Sequence, residues 1–441
     1  MSIMGTKNMK KQSKIISSLP IIAIVLVFLM PIIFATAMTT NQVAVSTDAL
    51  SEDGADVWGR YITWRRFVDF NGDGSLGWTE PSWIMVQDIT TGEEWNITPT
   101  IDAGYRQTTY YYYVSPPRIY QDHIIYIDYV GGSVNTQTIK MYNITQDTTW
   151  EVSYYNHLDI RYTVMGFIDI YDDWIAIGNA TGTNNDLYLY NYEQDIAKTV
   201  SAWQETNIDV TGLSISNSFV TYTERNTVTN VYTLGIFNIE DSKNAVIEFP
   251  ISVSSVNANS DSYEDNVVFS YYISGTWDTF LLNTEAINWS ISGWTGTPPS
   301  KSFNWIDLLD NVTVIYDGVF DAHNPHIWDN YIAYNTIIGG SDDNIIIYDI
   351  SRNSSYNLTD SPYKQRLSSI YDNKVLWNTN ENSLVAGVGA DANFDIYRTQ
   401  TDLEQLGQDV MNMTPMIITV LFFGFILGAF VLFGRSGGDG F

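Results

Sequence analysis

Seven times along this 441-residue chain, an aromatic or Ile residue is followed by a polar turn and then by a short strand of alternating apolar residues. The copies are Trp58-Gly-Arg-Tyr-Ile-Thr-Trp64, Tyr120-Gln-Asp-His-Ile-Ile-Tyr126 and Tyr171-Asp-Asp-Trp-Ile-Ala-Ile177. A looser one is Ile215-Ser-Asn-Ser-Phe-Val-Thr221. Three more are Tyr263-Glu-Asp-Asn-Val-Val-Phe269, Trp328-Asp-Asn-Tyr-Ile-Ala-Tyr334 and Tyr371-Asp-Asn-Lys-Val-Leu-Trp377. The copies stand 43 to 65 residues apart. Period-two alternation, β-branched and aromatic enrichment and Asn/Asp/Gly turns read as strands.

Behind most copies come a second strand, a turn and a short third strand. Ile345–Ile350 followed by Ser355–Thr359 is the clearest case, and Thr138–Tyr142 followed by Thr149–Val152 repeats it. A meander of three or four strands cannot bury both faces alone. Seven packed around an axis can, and a repeat of this length predicts an all-β propeller, with seven blades the favoured count and six to eight admissible. Val312–Tyr316, in the irregular stretch 293–325, is a candidate eighth blade. Residues 42–47 are placed to close the ring on the last blade, whose own chain ends near Arg398.

The strings IWDNYIAYN…DNIIIYDI…NLT and IYDNKVLWN…NFDIYR resemble the TolB-like propeller repeats of archaeal and bacterial surface proteins. The resemblance spans about residues 55–400 and departs from the family in using Asp-Asn where Ser-Pro-Asp-Gly is commoner. It implies blades that serve as binding and assembly surfaces, with no shared catalytic set.

One motif is sharper. Asp69-Phe-Asn71-Gly-Asp73-Gly74-Ser75-Leu-Gly77-Trp-Thr-Glu80 matches a twelve-residue calcium loop. Side-chain oxygens stand at positions 1, 3 and 5, glycine at 6 permits the sharp turn, Ser75 offers a carbonyl, Gly77 leaves room for water and Glu80 closes the shell. The loop resembles an EF-hand, yet strands rather than helices flank it. A structural Ca2+ clip is therefore expected in place of a sensor. An acidic turn without metal is the competing reading.

The two ends address the chain to a membrane. Residues 1–37 carry Lys7, Lys10, Lys11 and Lys14, an apolar run and Ala35-Thr36-Ala37, which together read as a signal peptide or an uncleaved signal anchor. Residues 415–433 form 19 uncharged positions, about 28 Å of helix, enough to cross a bilayer. Arg435 then keeps residues 434–441 cytoplasmic, and residues 401–414 link the span to an extracellular domain, 38–400. Gly424 and Gly428 form a GxxxG pair through which two spans would meet as a homodimer.

The chain holds 50 acidic and 21 basic residues and no cysteine. Disulfides and thiolate chemistry are excluded, and a net charge of −29 argues against nucleic acid or anionic lipid as partners. At molar salt the Debye length falls to about 3 Å, so such a surface suits saline surroundings, an archaeal habit. Eight sequons, Asn96, Asn143, Asn179, Asn288, Asn311, Asn353, Asn357 and Asn412, predict glycosylation.

His323-Asn-Pro-His326 reads as a surface loop, and Asp172-Asp173 and Asp342-Asp343 read as turn pairs. Tyr110–Tyr113 and the scattered Trp residues read as sheet rather than sugar platforms. The expected function is non-catalytic: a membrane-held surface module that binds a protein or glycan partner. The alternatives are an anchored glycan hydrolase or lyase, or a subunit of a membrane complex. Convergent Asp, Glu, His or Arg side chains at an axial funnel would favour the enzyme.

Overall fold

The computed structural model describes residues 42–46, 52–67, 82–98, 116–129, 137–152, 164–181, 187–201, 208–249, 253–256, 260–273, 276–316, 321–338, 342–359, 364–379 and 395–399, except 227, 230, 297 and 373. The calcium-loop residues 69–80, Tyr110–Tyr113, His157, Asn412 and both terminal segments lie outside them. No helix among the described residues is long and apolar enough to cross a membrane.

Val43–Thr399 form one compact unit, whose described residues make strands β1 to β30 and two short 3-10 helices. The strands assemble into seven sheets, each a meander following the chain outward from an innermost strand. We number them I to VII, covering residues 52–96, 118–151, 164–201, 208–248, 253–316, 322–357 and 365–399. Each sheet packs on the next, and VII packs on I, so the whole is a propeller. The joints are apolar: Ile125, Ile139 and Met141 of sheet II meet Ile168, Ile170 and Ile177 of sheet III, and similar sets fill the other described joints.

The ring closes with the N-terminal strand. β1 (Gln42–Ser46) pairs with β30 (Asp395–Thr399) as the outermost strand of sheet VII, where the sequence places this segment. Val45 packs with Val57 and Trp64 of sheet I and Leu376 of sheet VII, and its carbonyl accepts from Gln87 Nε2 at 3.1 Å.

The innermost strands share two devices. The first is a turn into the second strand whose leading residue takes positive φ: Gly59, Gln121, Asp172, Glu264, Asp329 and Asp372, at 45–57°. The second is a bulge upstream of that turn, seen in β2 (Glu52–Trp58), β10 (Val164–Tyr171), β14 (Ile208–Ile215), β24 (Ala322–Trp328) and β28 (Gln365–Tyr371). A bulge bends the strand and re-aims the side chains after it. In β2 the bulge uses Gly54 at φ +60°, where a Cβ would stand 2.2 Å from Pro116 Cβ of sheet II, so only glycine fits. At the same position of β24 Asn324 takes φ +57° and donates Nδ2 to Leu367 O at 2.9 Å.

The turn between third and fourth strands is also built one way. Asn143, Asn191, Asn238 and Asp349 each accept from the amide three residues on, at 2.7–2.9 Å. The preceding tyrosines, Tyr142, Tyr190 and Tyr348, donate to the positive-φ residues Asp147, Asp195 and Asn353.

Sheet V departs from the pattern. Its innermost strand is in two pieces, β18 (Val253–Val256) and β19 (Asp261–Tyr263), both paired with β20 (Asn266–Ile273). Val312–Tyr316, expected as a possible eighth blade, is β23, the fourth strand of sheet V paired with β21 (Thr276–Asn283). The stretch before it contributes β22 (Ser300–Asn304), which adds in parallel to β17 (Lys243–Glu248) at the edge of sheet IV. Asp342 and Asp343, expected in a turn, begin strand β26 (Asp342–Asp349) opposite Ile338 and Ile337.

Placing a charge at the closure tests this arrangement. Val45→Asp should lower stability by about 3 kcal/mol in urea unfolding, because the carboxylate would enter an apolar joint. An unchanged midpoint would show that β1 does not hold the ring shut.

Candidate functional site

The bulges and turns deliver two layers of side chains to the axis. The last residue of each innermost strand gives Trp58, Tyr120, Tyr171, Tyr263, Trp328 and Tyr371, and in sheet IV the residue just past the strand, Ser216, takes the same place. Two positions earlier stand Asp56, Arg118, Asp169, Ser214, Asp261, His326 and Ser369. All of these residues except Tyr120 line one cavity of about 170 Å3.

The outer layer is an aromatic cap. Trp58 reaches across the axis, with ring centroids 4.1 Å from Tyr120, 3.9 Å from Tyr371, 5.8 Å from Trp328 and 6.1 Å from Tyr171. Tyr120–Tyr171, Trp328–Tyr371 and Tyr263–Trp328 extend the contacts at 4.6, 4.0 and 4.6 Å. Each such pair adds about 1 kcal/mol beyond burial. Burial raises the Tyr171 hydroxyl to about 12, with the Tyr120 ring beside it adding to the effect. Sheet IV alone places a small residue, Ser216, in this layer.

The inner layer is charged and bonded between sheets. Asp56 Oδ2 accepts from the Ile119 amide of sheet II at 3.0 Å, and its Oδ1 accepts from the Ser369 hydroxyl of sheet VII at 2.7 Å. Asp169 Oδ2 accepts from the Ile215 amide of sheet IV at 2.9 Å, and its Oδ1 lies 3.9 Å from Arg118 Nε of sheet II. Asp261 Oδ1 accepts from the Ser214 hydroxyl of sheet IV at 2.7 Å. Its Oδ2 accepts from the Ile327 amide of sheet VI at 3.0 Å and lies 3.5 Å from His326 Nδ1. All three also accept from the amide of the following residue, at 2.8–3.0 Å. Sheets VI and VII, which share no such carboxylate, are joined by Asn335, which donates to Gln365 O and accepts from the Leu367 amide.

Two carboxylates in matching positions titrate oppositely. Burial raises Asp169 to about 6, against the pull of Arg118. Burial acts on Asp261 in the same sense, but hydrogen bonds from His326, the Ile327 amide and Ser214 hold it below the usual carboxylate range.

These axial groups were hidden in the sequence. The repeat shows itself by its aromatic residue, and the polar position lies two residues upstream, in Asp56-Val-Trp, Arg118-Ile-Tyr, Asp169-Ile-Tyr and their counterparts. His323-Asn-Pro-His326 is not a surface loop: both histidines lie in β24, the bulge accommodates Pro325, and His326 faces the axis. Asp172 and Asp173 do form the turn expected of them.

Of the sequons, Asn96, Asn288, Asn311, Asn353 and Asn357 are exposed. Asn179 is in strand β11 (Trp174–Thr181), and its side chain lies outside the described residues. Asn143 departs from the exposed placement expected of an acceptor. It is 4% exposed, its Oδ1 caps a turn and its Nδ2 lies 3.1 Å from His123 Nε2, so a glycan there would require the turn to open. Among the described residues no three His, Cys, Asp or Glu side chains are grouped to hold a metal ion. The strands flanking the calcium-loop sequence, β3 (Tyr61–Phe67) and β4 (Ser82–Asp88), pair in register with Phe67 opposite Ser82, so the ends of that loop are held side by side.

No family model matches the sequence, and no curated protein is significantly similar to it. Solved structures do share the fold. An acylaminoacyl peptidase in complex with Z-Gly-Gly-Phe-chloromethyl ketone is 9% identical over 82% of this chain and 54% of its own, with a TM-score of 0.52. The Pyrococcus horikoshii acylaminoacyl peptidase is 9% identical over 76% and 49%, with a TM-score of 0.50. The β-propeller domain of the Trilobed protease from Pyrococcus furiosus is 9% identical over 75% and 89%, with a TM-score of 0.49. The chain is a β-propeller by this likeness, which concerns the fold alone. It spans about half the length of the two acylaminoacyl peptidases.

The Asp169 environment fixes a pH dependence. With a folded value raised to about 6, the folded protein keeps a proton there that the unfolded chain releases nearer pH 4. This contribution is complete at low pH and is lost as pH rises through about 6. Asp169→Asn keeps an oxygen for the Ile215 amide and removes the charge. It should be more stable than the parent by about 2 kcal/mol at pH 7.5, with the gap closing by pH 4, in urea unfolding at each pH. A less stable variant at pH 7.5 would show that the Arg118 pair outweighs burial.

Proposed function

We propose that this chain is a cell-surface propeller of TolB-like type that binds a ligand or partner without catalysis and is held to the membrane by residues 415–433. The observation that carries the non-catalytic reading is the bonding of Asp56, Asp169 and Asp261. Their oxygens meet amides and hydroxyls of adjacent sheets, which is the work of structural staples. A general acid or base needs a proton-transfer path to substrate, and carboxylates bonded to backbone amides are poor proton donors. The activities of the two peptidases belong to longer chains, of which this one spans about half, and give no reason to assign peptide hydrolysis here.

The anchored-enzyme reading keeps one observation in its favour. Acidic and basic groups do converge on the axis, and Asp169 titrates near 6. Fluorogenic glycoside and peptide substrates separate the two readings: the protein should turn over none of them. Turnover that Asp169→Asn or Asp261→Asn abolishes would establish an enzyme. Cross-linking on intact cells, followed by identification of neighbours, should recover surface partners.

Two attached expectations belong to this reading. A calcium clip at Asp69, Asn71, Asp73, Ser75, Gly77 and Glu80 is supported by the loop sequence and by the register that joins its ends. Asp69→Ala or Glu80→Ala should lower the Tm with calcium present and leave it nearly unchanged in chelator; equal loss in both would refute the clip. Exported, glycosylated display is supported by the terminal segments and the exposed sequons. Removing residues 415–441 should release the protein from membranes, whereas retention would locate the anchor at the N-terminus. Dimerisation through Gly424 and Gly428 remains part of the same proposal.

A further inference from the structure

The axial cavity has a gap in its aromatic layer and polar groups without hydrogen bonds. Six of seven positions in the outer layer are aromatic, and the seventh, Ser216, stands between Tyr171 and Tyr263. At this place the cavity lining continues past the aromatic layer to Asn217 and Glu264 in the turns beyond it. The sector beneath is lined by hydroxyls: Ser214 donates to Asp261, and Ser262 donates to Ser216 at 2.9 Å. Ser260, 2% exposed and lining the same cavity, has an Oγ with no hydrogen-bond partner, and Arg118 Nε, ion-paired with Asp169 at 3.9 Å, makes no hydrogen bond. A buried hydroxyl or guanidinium nitrogen left unpaired is costly, and one that borders a cavity marks a place for an acceptor.

The chemistry of the occupant follows from these groups together. Three carboxylates against one guanidinium repel an anion. The amides, hydroxyls and Arg118 already turned toward those carboxylates oppose a compact dication. What remains is a small uncharged molecule whose groups both donate and accept, with an apolar face for Tyr171, Tyr263 or Trp328. A pyranose ring has those properties, and about 170 Å3 suits one ring rather than a chain.

We propose that the axial pocket binds one neutral sugar residue, admitted beside Ser216, with Ser260 and Arg118 donating to its oxygens and the axial carboxylates accepting from its hydroxyls. This deepens the binding reading above and rests on it. It also gives the gap in the aromatic cap a role that symmetric packing does not require.

The test uses the full-length protein in lipid nanodiscs, which avoids sugar-headed detergents. Saturation-transfer NMR and Trp fluorescence would be titrated with glucose, galactose, mannose, xylose and N-acetylglucosamine, and with glycine, acetate and tetramethylammonium as charged comparators. At least one neutral sugar should bind saturably, and Ser216→Trp, which completes the aromatic ring, should weaken it by about tenfold or more. Ser260→Ala, a smaller change that keeps the fold if Ser216→Trp does not, should weaken it several-fold with near-ultraviolet circular dichroism unchanged. Saturation by charged comparators alone, or by none of the probes, overturns the assignment. Sugar binding that both variants leave intact overturns it as well. Each of these results leaves surface display standing, since membrane retention and cell-surface cross-linking test that separately.

Discussion

Bringing seven innermost strands to one axis leaves their inward-facing amides without a ladder partner in a space too narrow for bulk water. The structure answers with carboxylates. Asp56, Asp169 and Asp261 stand on sheets I, III and V, and each binds to both neighbouring sheets. Where such bonds outweigh burial, as at Asp261, they contribute about 1.5–3 kcal/mol each, and leaving the amides unpaired would cost a similar amount at every site. The alternation matters: seven adjacent carboxylates would repel one another, whereas three, separated by Arg118, Ser214, His326 and Ser369, let each acid face donors. The apolar joints supply most of the cohesion, but they are much alike between sheets. The axial bonds differ at each joint.

The departures from symmetry gather at sheets IV and V. Sheet V has the divided inner strand, its insertion lends β22 to sheet IV, and sheet IV leaves the gap in the aromatic cap. Irregularity in a repeat architecture that is regular elsewhere is where selection has worked on something other than packing. The cluster of Ser214, Ser216, Ser260 and Ser262 lies in that same sector, and Ser260 Oγ, which has no hydrogen-bond partner, belongs to it.

The sequence carried the fold in its turns. Positive φ at the first residue after the aromatic demands Gly, Asp, Asn or similar residues, so six of the seven turns left a readable trace in Gly59, Gln121, Asp172, Glu264, Asp329 and Asp372. In the fourth copy Ser216 carries no aromatic marker, and Ile215, one residue upstream, imitates it in the sequence. The extra strand β22 was illegible because parallel addition across sheets leaves no local signature. His323-Asn-Pro-His326 reads as a loop because no ligand set completes the histidine pair, yet an inner strand with a free edge and a bulge tolerates Pro325. The axial residues themselves were in plain sight but read as strand ends, since convergence from seven distant segments is a property of closure that no window of sequence displays. Asn143 read as an exposed sequon because its burial depends on His123, twenty residues away.

The staple account is tested most directly by amide hydrogen exchange at Ile119, Ile215 and Ile327, whose N–H groups point at the three carboxylates. If those bonds hold the sheets together, the three amides exchange only through global unfolding, as slowly as the most protected residues of the central strands. Exchange at loop-like rates while the central strands stay protected would contradict it, because the carboxylates would then be bystanders at an axis held shut by apolar packing alone.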